Sequence, residues 1–149
     1  MIPIITLTDV AEPYIESAVS KGLDRFNNES VGSTYDYRPL VLGLTHPDTT
    51  ETIGGLWADT GWGQLHVRML FVPKTLRGTG IGSVLMSRAE EEALQRGCHA
   101  AWLDTFSFQA CAFYENLGYA VFGVIDNYPP GHSRFFLKKA LLPKISMQS

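Results

Sequence analysis

The chain has 149 residues, enough for one domain that buries about 68–70% of its unfolded surface and needs no disulfide or metal to hold a core. Apolar residues make up 45% and charged residues 18%, and mean hydropathy is +0.00, which argues against a disordered chain or one embedded in a membrane. A net charge of -3 and an isoelectric point near 5.7 speak against a general nucleic-acid binder, which shows a strongly basic balance.

Residues 10–26 carry helical spacing: Val10, Tyr14, Ala18 and Val19 share a face, with Ile15 and Leu23 beside it. Thr8 or Asp9 can cap that helix, and Pro13 is compatible only with its first turn. Residues 27–37 are polar, include Gly32, and read as a loop. Three β-rich runs follow at 40–44, 53–58 and 65–72, separated by turns at 46–50 and 60–63. Short turn-linked hops of this kind predict an antiparallel meander. The third run is apolar at almost every residue, which predicts a central strand covered on both faces.

After Val72 the period changes. Ile81, Val84, Leu85, Arg88, Ala89 and Glu92 follow helical spacing, and Gly97 stops the helix. Residues 100–103 read as a short buried strand, 109–117 as a helix ending at Gly118, and 119–125 and 134–137 as strands. The order predicts an α/β domain around a mixed sheet over residues 1–140, with 141–149 as a tail. Cys98 and Cys111 form neither a disulfide framework nor a metal-ligand spacing. No apolar run reaches the ~18 residues of a membrane span, and the start lacks the basic segment of a signal peptide. The expected compartment is the cytoplasm, with no membrane and no nucleic acid as partner.

Charge is unevenly spread. Residues 1–59 hold nine acids against Lys21, Arg25 and Arg38, whereas no carboxylate lies between Asp59 and Glu90. That gap contains Arg68, Lys74, Arg77 and Arg88, and it also contains the most informative stretch, Arg77-Gly78-Thr79-Gly80-Ile81-Gly82-Ser83. A strand ends, a turn with alternate glycines follows, and a helix begins at once. Such a turn aims backbone N–H groups into one concavity, where the helix N-terminus adds partial positive charge. Glycine removes the side chain that would hold a phosphate away from the backbone. The segment is thus a candidate polyphosphate cradle. It is not a nucleotide-hydrolysing P-loop, because the Gly-Lys-Ser/Thr ending is missing. A dinucleotide fold fits poorly, since position 83 is Ser rather than Gly and an antiparallel meander precedes the turn.

The stretch Arg77-Gly78-Thr79-Gly80-Ile81-Gly82 resembles the Arg/Gln-x-x-Gly-x-Gly/Ala motif of GNAT-type N-acetyltransferases. Ala110-Cys111-Ala112-Phe113-Tyr114-Glu115-Asn116-Leu117-Gly118-Tyr119 resembles the family's second motif, Ala-x-x-Phe-Tyr-x-x-x-Gly-Phe/Tyr, in the right order and separation. The resemblance implies a single GNAT-like domain with a mixed, mostly antiparallel sheet, flanked by helices and containing a splayed central parallel strand pair. It also implies acetyl-CoA as cosubstrate. The pyrophosphate would lie on the backbone of Arg77, Gly78, Thr79, Gly80, Ile81, Gly82 and Ser83, and the pantetheine arm along Leu70 and Val72. Residues 103–105 would splay away to leave a slot for the acyl chain, and Lys74, Arg77 and Arg88 are candidates to steer the polyanion.

By the same resemblance Tyr114 is the candidate general acid for the departing thiolate. Many members carry a carboxylate base on the central strand, where this chain has His66 and Arg68. His66, with an ordinary pKa near ~6.5, is the candidate base; Asp59, Asp104 or a water chain are alternatives. The acceptor is expected to be a small-molecule primary amine, approaching over the first helix, the 27–37 segment and the 126–132 hairpin. Trp57, Trp62, Phe108 and Tyr128 are candidate aromatic walls. Modification of a protein lysine or N-terminus, or non-catalytic acyl-CoA sensing, are the alternative functions. A homodimer through the late strands is a further possibility.

Overall fold

The computed structural model describes residues 1–143. They fall into two compact units, residues 1–35 and the chain from Asp36 onward. In the first unit, α1 (Pro13–Val31) begins with proline in its first turn and ends at Gly32, whose φ of 79° is left-handed. The N–H of Gly32 bonds to the Asn28 carbonyl at 2.9 Å. The helix therefore continues through residues 27–31, where a loop was expected. Polarity by itself does not stop a helix; the left-handed residue does. Thr8 forms a local turn instead of a cap, its hydroxyl accepting the Val10 N–H at 3.0 Å, and the Glu12 N-cap makes no side-chain cap bond.

The second unit contains β1 (Arg38–Thr45), β2 (Thr52–Gly61), β3 (Gln64–Phe71), α2 (Ile81–Gln95), β4 (Ala100–Phe106), α3 (Cys111–Asn116), β5 (Ala120–Asp126) and β6 (Ser133–Ala140). The strands form one sheet in the order β1-β2-β3-β4-β6-β5. All neighbours are antiparallel except β3 and β4. The α/β architecture expected from the element order, with a central parallel pair, is therefore present.

Local chemistry explains the joints. The β2–β3 hairpin turns on Trp62 (φ 48°) and Gly63 (φ 77°), the pair of positive φ values that a type I′ turn demands. A Cβ on Gly63 would also lie 2.6 Å from the His99 ring, so glycine is required twice over. On one face of the sheet, Leu40, Leu56, Leu65, Val67, Leu103 and Leu137 are buried. They share a core cluster with Leu85, Met86, Ala89 and Ala93 of α2. The strands alternate accordingly, most cleanly in β4.

β3 is central, but not covered on both faces as its apolar run predicts: Met69 is 63% and Phe71 56% exposed. These residues follow a register shift in β3 that changes which side chains face the core. Leu141 is buried and its N–H bonds to the His99 carbonyl at 2.9 Å. Of the expected tail, residues 144–149 lie outside the described residues.

Candidate active site

The parallel ladder between β3 and β4 begins at Gln64↔Ala100 and stops at Val67↔Leu103. At the same level β3 carries a bulge: Ala58 pairs with Val67 and Trp57 with Met69, leaving Arg68 as the extra residue. A bulge bends its strand and increases its twist, so the ends of β3 and β4 diverge. A cavity of about 850 Å³ opens in the wedge. Along one wall, residues 68–72 present a strand edge with no ladder partner on the β4 side.

The glycine-rich turn makes the second wall. After a single 3-10 turn at Lys74–Leu76, Gly78 (φ 79°) and Gly80 (φ 85°) take left-handed conformations and α2 starts at Ile81. No side chain caps that helix. Its first intrahelical bond runs from the Val84 N–H to the Gly80 carbonyl at 3.1 Å, so the N–H groups of Ile81, Gly82 and Ser83 have no helical acceptor. A Cβ placed on Gly78 or Gly80 would meet nothing within 4 Å; the space before the uncapped N–H groups is open. Gly82 serves differently, since a Cβ there would lie 3.2 Å from Phe113 Cζ. Its bareness lets α2 seat against Phe113. Arg77 ties the turn to the strand end by donating from Nε to the Val72 carbonyl at 3.1 Å.

Of the sequence-predicted cofactor residues, all but Thr79 line the cavity. The Thr79 hydroxyl instead holds the turn by donating to the Leu76 carbonyl at 2.5 Å. Neither Lys74 nor the exposed Arg88 lines the cavity.

The third wall joins the end of β4 to the start of α3. Gln109 Oε1 accepts the Phe106 N–H at 2.8 Å and the Thr105 hydroxyl at 3.0 Å, locking that junction. Tyr114 lines the cavity and is 9% exposed. Burial, aided by the negative charge of Asp104, pushes its phenol up to about 12. It stays protonated at neutral pH, as a hydrogen-bond donor must.

His66 is not brought into the cavity. It pairs across the parallel ladder with Trp102 and stacks on that ring at 3.7 Å. Burial, then the Arg68 charge, lowers its pKa against the opposing pull of Asp59 and Asp104, so the imidazole is neutral at pH 7. Asp59 is 3% exposed and forms an ion pair with Arg68. Asp104 lines the cavity and pairs with Arg134, which donates from Nε at 2.7 Å. Among the candidate aromatic walls, Phe108 lines the cavity, and Tyr128 joins a ring stack through Phe106. Trp57 and Trp62 do not line it: Trp57, on β2, pairs with Met69 of β3, and Trp62 sits in the hairpin at the opposite end of β3.

Sequence reasoning missed the Arg68 bulge, the Gln109 lock and the Asp104–Arg134 pair. Only the alternation of Asp104 and Phe106 with Arg134 and Phe136 hinted at the last, and reading it requires knowing that β4 and β6 are neighbours. No group of three or more His, Cys, Asp or Glu among the described residues is arranged to hold a metal ion. No helix among them is long and apolar enough to cross a membrane.

An uncapped helix start, open space before bare glycines and an unpaired strand edge fit the polyphosphate and the amide-bearing arm of acetyl-CoA. Comparison with known proteins agrees. The model of the acetyltransferase (GNAT) family matches residues 8–119. An acetyltransferase of Agrobacterium fabrum is 38% identical over 133 residues, covering 89% of this chain and 96% of its relative. The blasticidin-S acetyltransferase of Streptomyces morookaense is 39% identical over 107 residues, covering 70% and 79% respectively. A crystal structure of an Agrobacterium tumefaciens acetyltransferase superposes with a TM-score of 0.86 at 36% identity, covering 93% of this chain and 99% of that one. The chain therefore belongs to the GNAT family and is an acetyl-CoA-dependent N-acetyltransferase.

Proposed function

We propose that the enzyme transfers an acetyl group directly to a primary amine of a small molecule, within a complex that holds both substrates. The observation that carries this reading is the convergence of the uncapped α2 N-terminus, the unpaired β3 edge and Tyr114 on one cavity. The relative that acts on blasticidin S supports a small-molecule acceptor.

Acetyl-CoA supplies an activated thioester carbonyl and a thiol leaving group. The N–H groups of Gly78, Gly80, Ile81, Gly82 and Ser83 hold the pyrophosphate, Arg77 adds charge at the mouth, and the backbone of Leu70 and Val72 pairs with the pantetheine arm. Tyr114 donates a hydrogen bond toward the sulfur as negative charge develops there. The amine must lose a proton to become a nucleophile. His66, neutral at pH 7 and sensing both Asp59 and Asp104, takes up that proton through water. Two free thiols, Cys98 buried and Cys111 partly so, suit a reducing cytoplasm.

The test is acceptor-dependent release of free thiol from acetyl-CoA across polyamines, amino acids, nucleoside-type amines and lysine- or N-terminus-bearing peptides. Turnover with small amines supports the proposal. Turnover confined to peptides replaces it with a protein acetyltransferase.

A further inference from the structure

The Asp104 carboxylate is held in an unusual way. Arg134 Nε and its terminal nitrogen Nη2 approach Oδ2 at 2.7 and 2.6 Å, so both donors fall on one oxygen. Oδ1 keeps no hydrogen-bond partner among the described residues, although a carboxylate oxygen accepts readily. Arg134 is itself clamped, its guanidinium lying 5.4 Å from the centroids of Phe106, Tyr128 and Phe136. Asp104 follows Leu103, the last residue of β4 paired with β3, and lines the cavity together with Tyr114.

The same clamp ends in an exposed flat surface. Phe106 stacks on Phe108 at 5.2 Å and 7°, and on Tyr128 at 5.6 Å and 18°. His132 props the Phe108 ring edge-on at 5.0 Å. Phe108 is 56% exposed and lines the cavity. A large ring left that open, yet braced from two sides, is a prepared platform rather than core packing.

We infer that Asp104 and Phe108 form the acceptor subsite, which takes an amine carried on a planar aromatic or heteroaromatic group. Oδ1 receives the ammonium, and the Phe108 face takes the ring. Arg134 is a positioning residue that fixes Oδ2 and turns Oδ1 toward the incoming amine. This rests on the reading of the enzyme as a small-molecule acetyltransferase and adds the class of acceptor to it.

The experiment compares 2-phenylethylamine with its saturated counterpart, 2-cyclohexylethylamine, as acceptors. Asp104→Asn is expected to lower kcat/KM for both amines about 10- to 150-fold, the value of a hydrogen bond to a charged group. Its acetyl-CoA affinity by calorimetry should be unchanged, and Asp104→Glu should restore part of the loss. Phe108→Leu, at an exposed position, should raise KM for the aryl amine about 2- to 10-fold and leave the cyclohexyl amine nearly unaffected. Equal effects of Phe108→Leu on the two amines overturn the ring assignment. An unchanged amine KM in Asp104→Asn, or loss of its acetyl-CoA binding, overturns the anchor. If wild-type enzyme binds acetyl-CoA yet acetylates only peptides, the small-molecule reading itself has failed.

Discussion

Replacing Tyr114 by Phe removes one oxygen and leaves the ring. The ring packs edge-on against Phe113 at 5.0 Å and Tyr119 at 6.2 Å, contacts that Phe preserves, so the fold should persist. The phenol is held up to about 12 by burial and by Asp104. An aliphatic thiol titrates near ~8.5, which leaves a gap of about 3.5 pH units, or about 5 kcal/mol at 1.36 kcal/mol per unit. Complete proton transfer to the thiolate is uphill by that amount, so in the proposed mechanism Tyr114 serves as a hydrogen-bond donor to developing charge. Such a bond is worth about 1.5–3 kcal/mol. The expected loss in kcat is thus about 10- to 150-fold, below the upper end of general acid catalysis. The assay is thiol release under saturating acetyl-CoA, with a rapid-quench single turnover to isolate the chemical step. The KM for acetyl-CoA should hardly move. A single-turnover rate within about twofold of wild type would remove Tyr114 from the mechanism. In wild type, the hydroxyl contributes no basic limb to the pH–rate profile below pH 10, because it stays protonated there.

Three further outcomes follow from other parts of the site. His66 has a folded-state pKa below its ordinary ~6.5, through burial and Arg68. The unfolded chain therefore binds the proton first, so His66 contributes stability above pH ~6.5 that is lost as pH falls through the folded value. Urea titrations from pH 7.5 to 5 should show that loss, and His66→Gln should flatten it; the same variant should abolish the acidic limb of kcat/KM if His66 takes the amine's proton. Gly80→Ala places a Cβ at φ 85° in open space, so the cost is backbone strain of about 1–2 kcal/mol. Melting should fall by about 3–8 °C and the acetyl-CoA KM should rise, whereas an unchanged KM would detach Gly80 from the cradle. Arg68→Ala leaves the buried Asp59 carboxylate without its guanidinium. It should cost about 1–3 kcal/mol by denaturant titration, less than for a fully buried pair because Arg68 is half exposed.

The features readable in the sequence are those that the backbone decides locally. Gly32, Gly97 and Gly118 end helices because each takes a positive φ, and alternating Gly78 and Gly80 announce an open helix start wherever that helix packs. Period-2 and period-3.6 patterns separate strands from helices, and fail mainly at residues 27–31, where polar residues continue the helix to Val31. These alone indicate the α/β class and a candidate phosphate cradle, and with the two motifs the family.

What only the tertiary structure decided is partnership between distant residues. Asp104 meets Arg134 because β6, rather than the preceding β5, lies beside β4, with Asp104 opposite Phe136 and Phe106 opposite Arg134. His66 lies on Trp102 because β3 and β4 run parallel in one particular register. The cavity itself depends on one extra residue, Arg68, opposite β2. A strand's alternation says which face it buries but not which neighbour it takes or where a bulge enters. Those are settled when many side chains pack at once, so the cavity and the Asp104–Arg134 pair become legible only in the folded molecule.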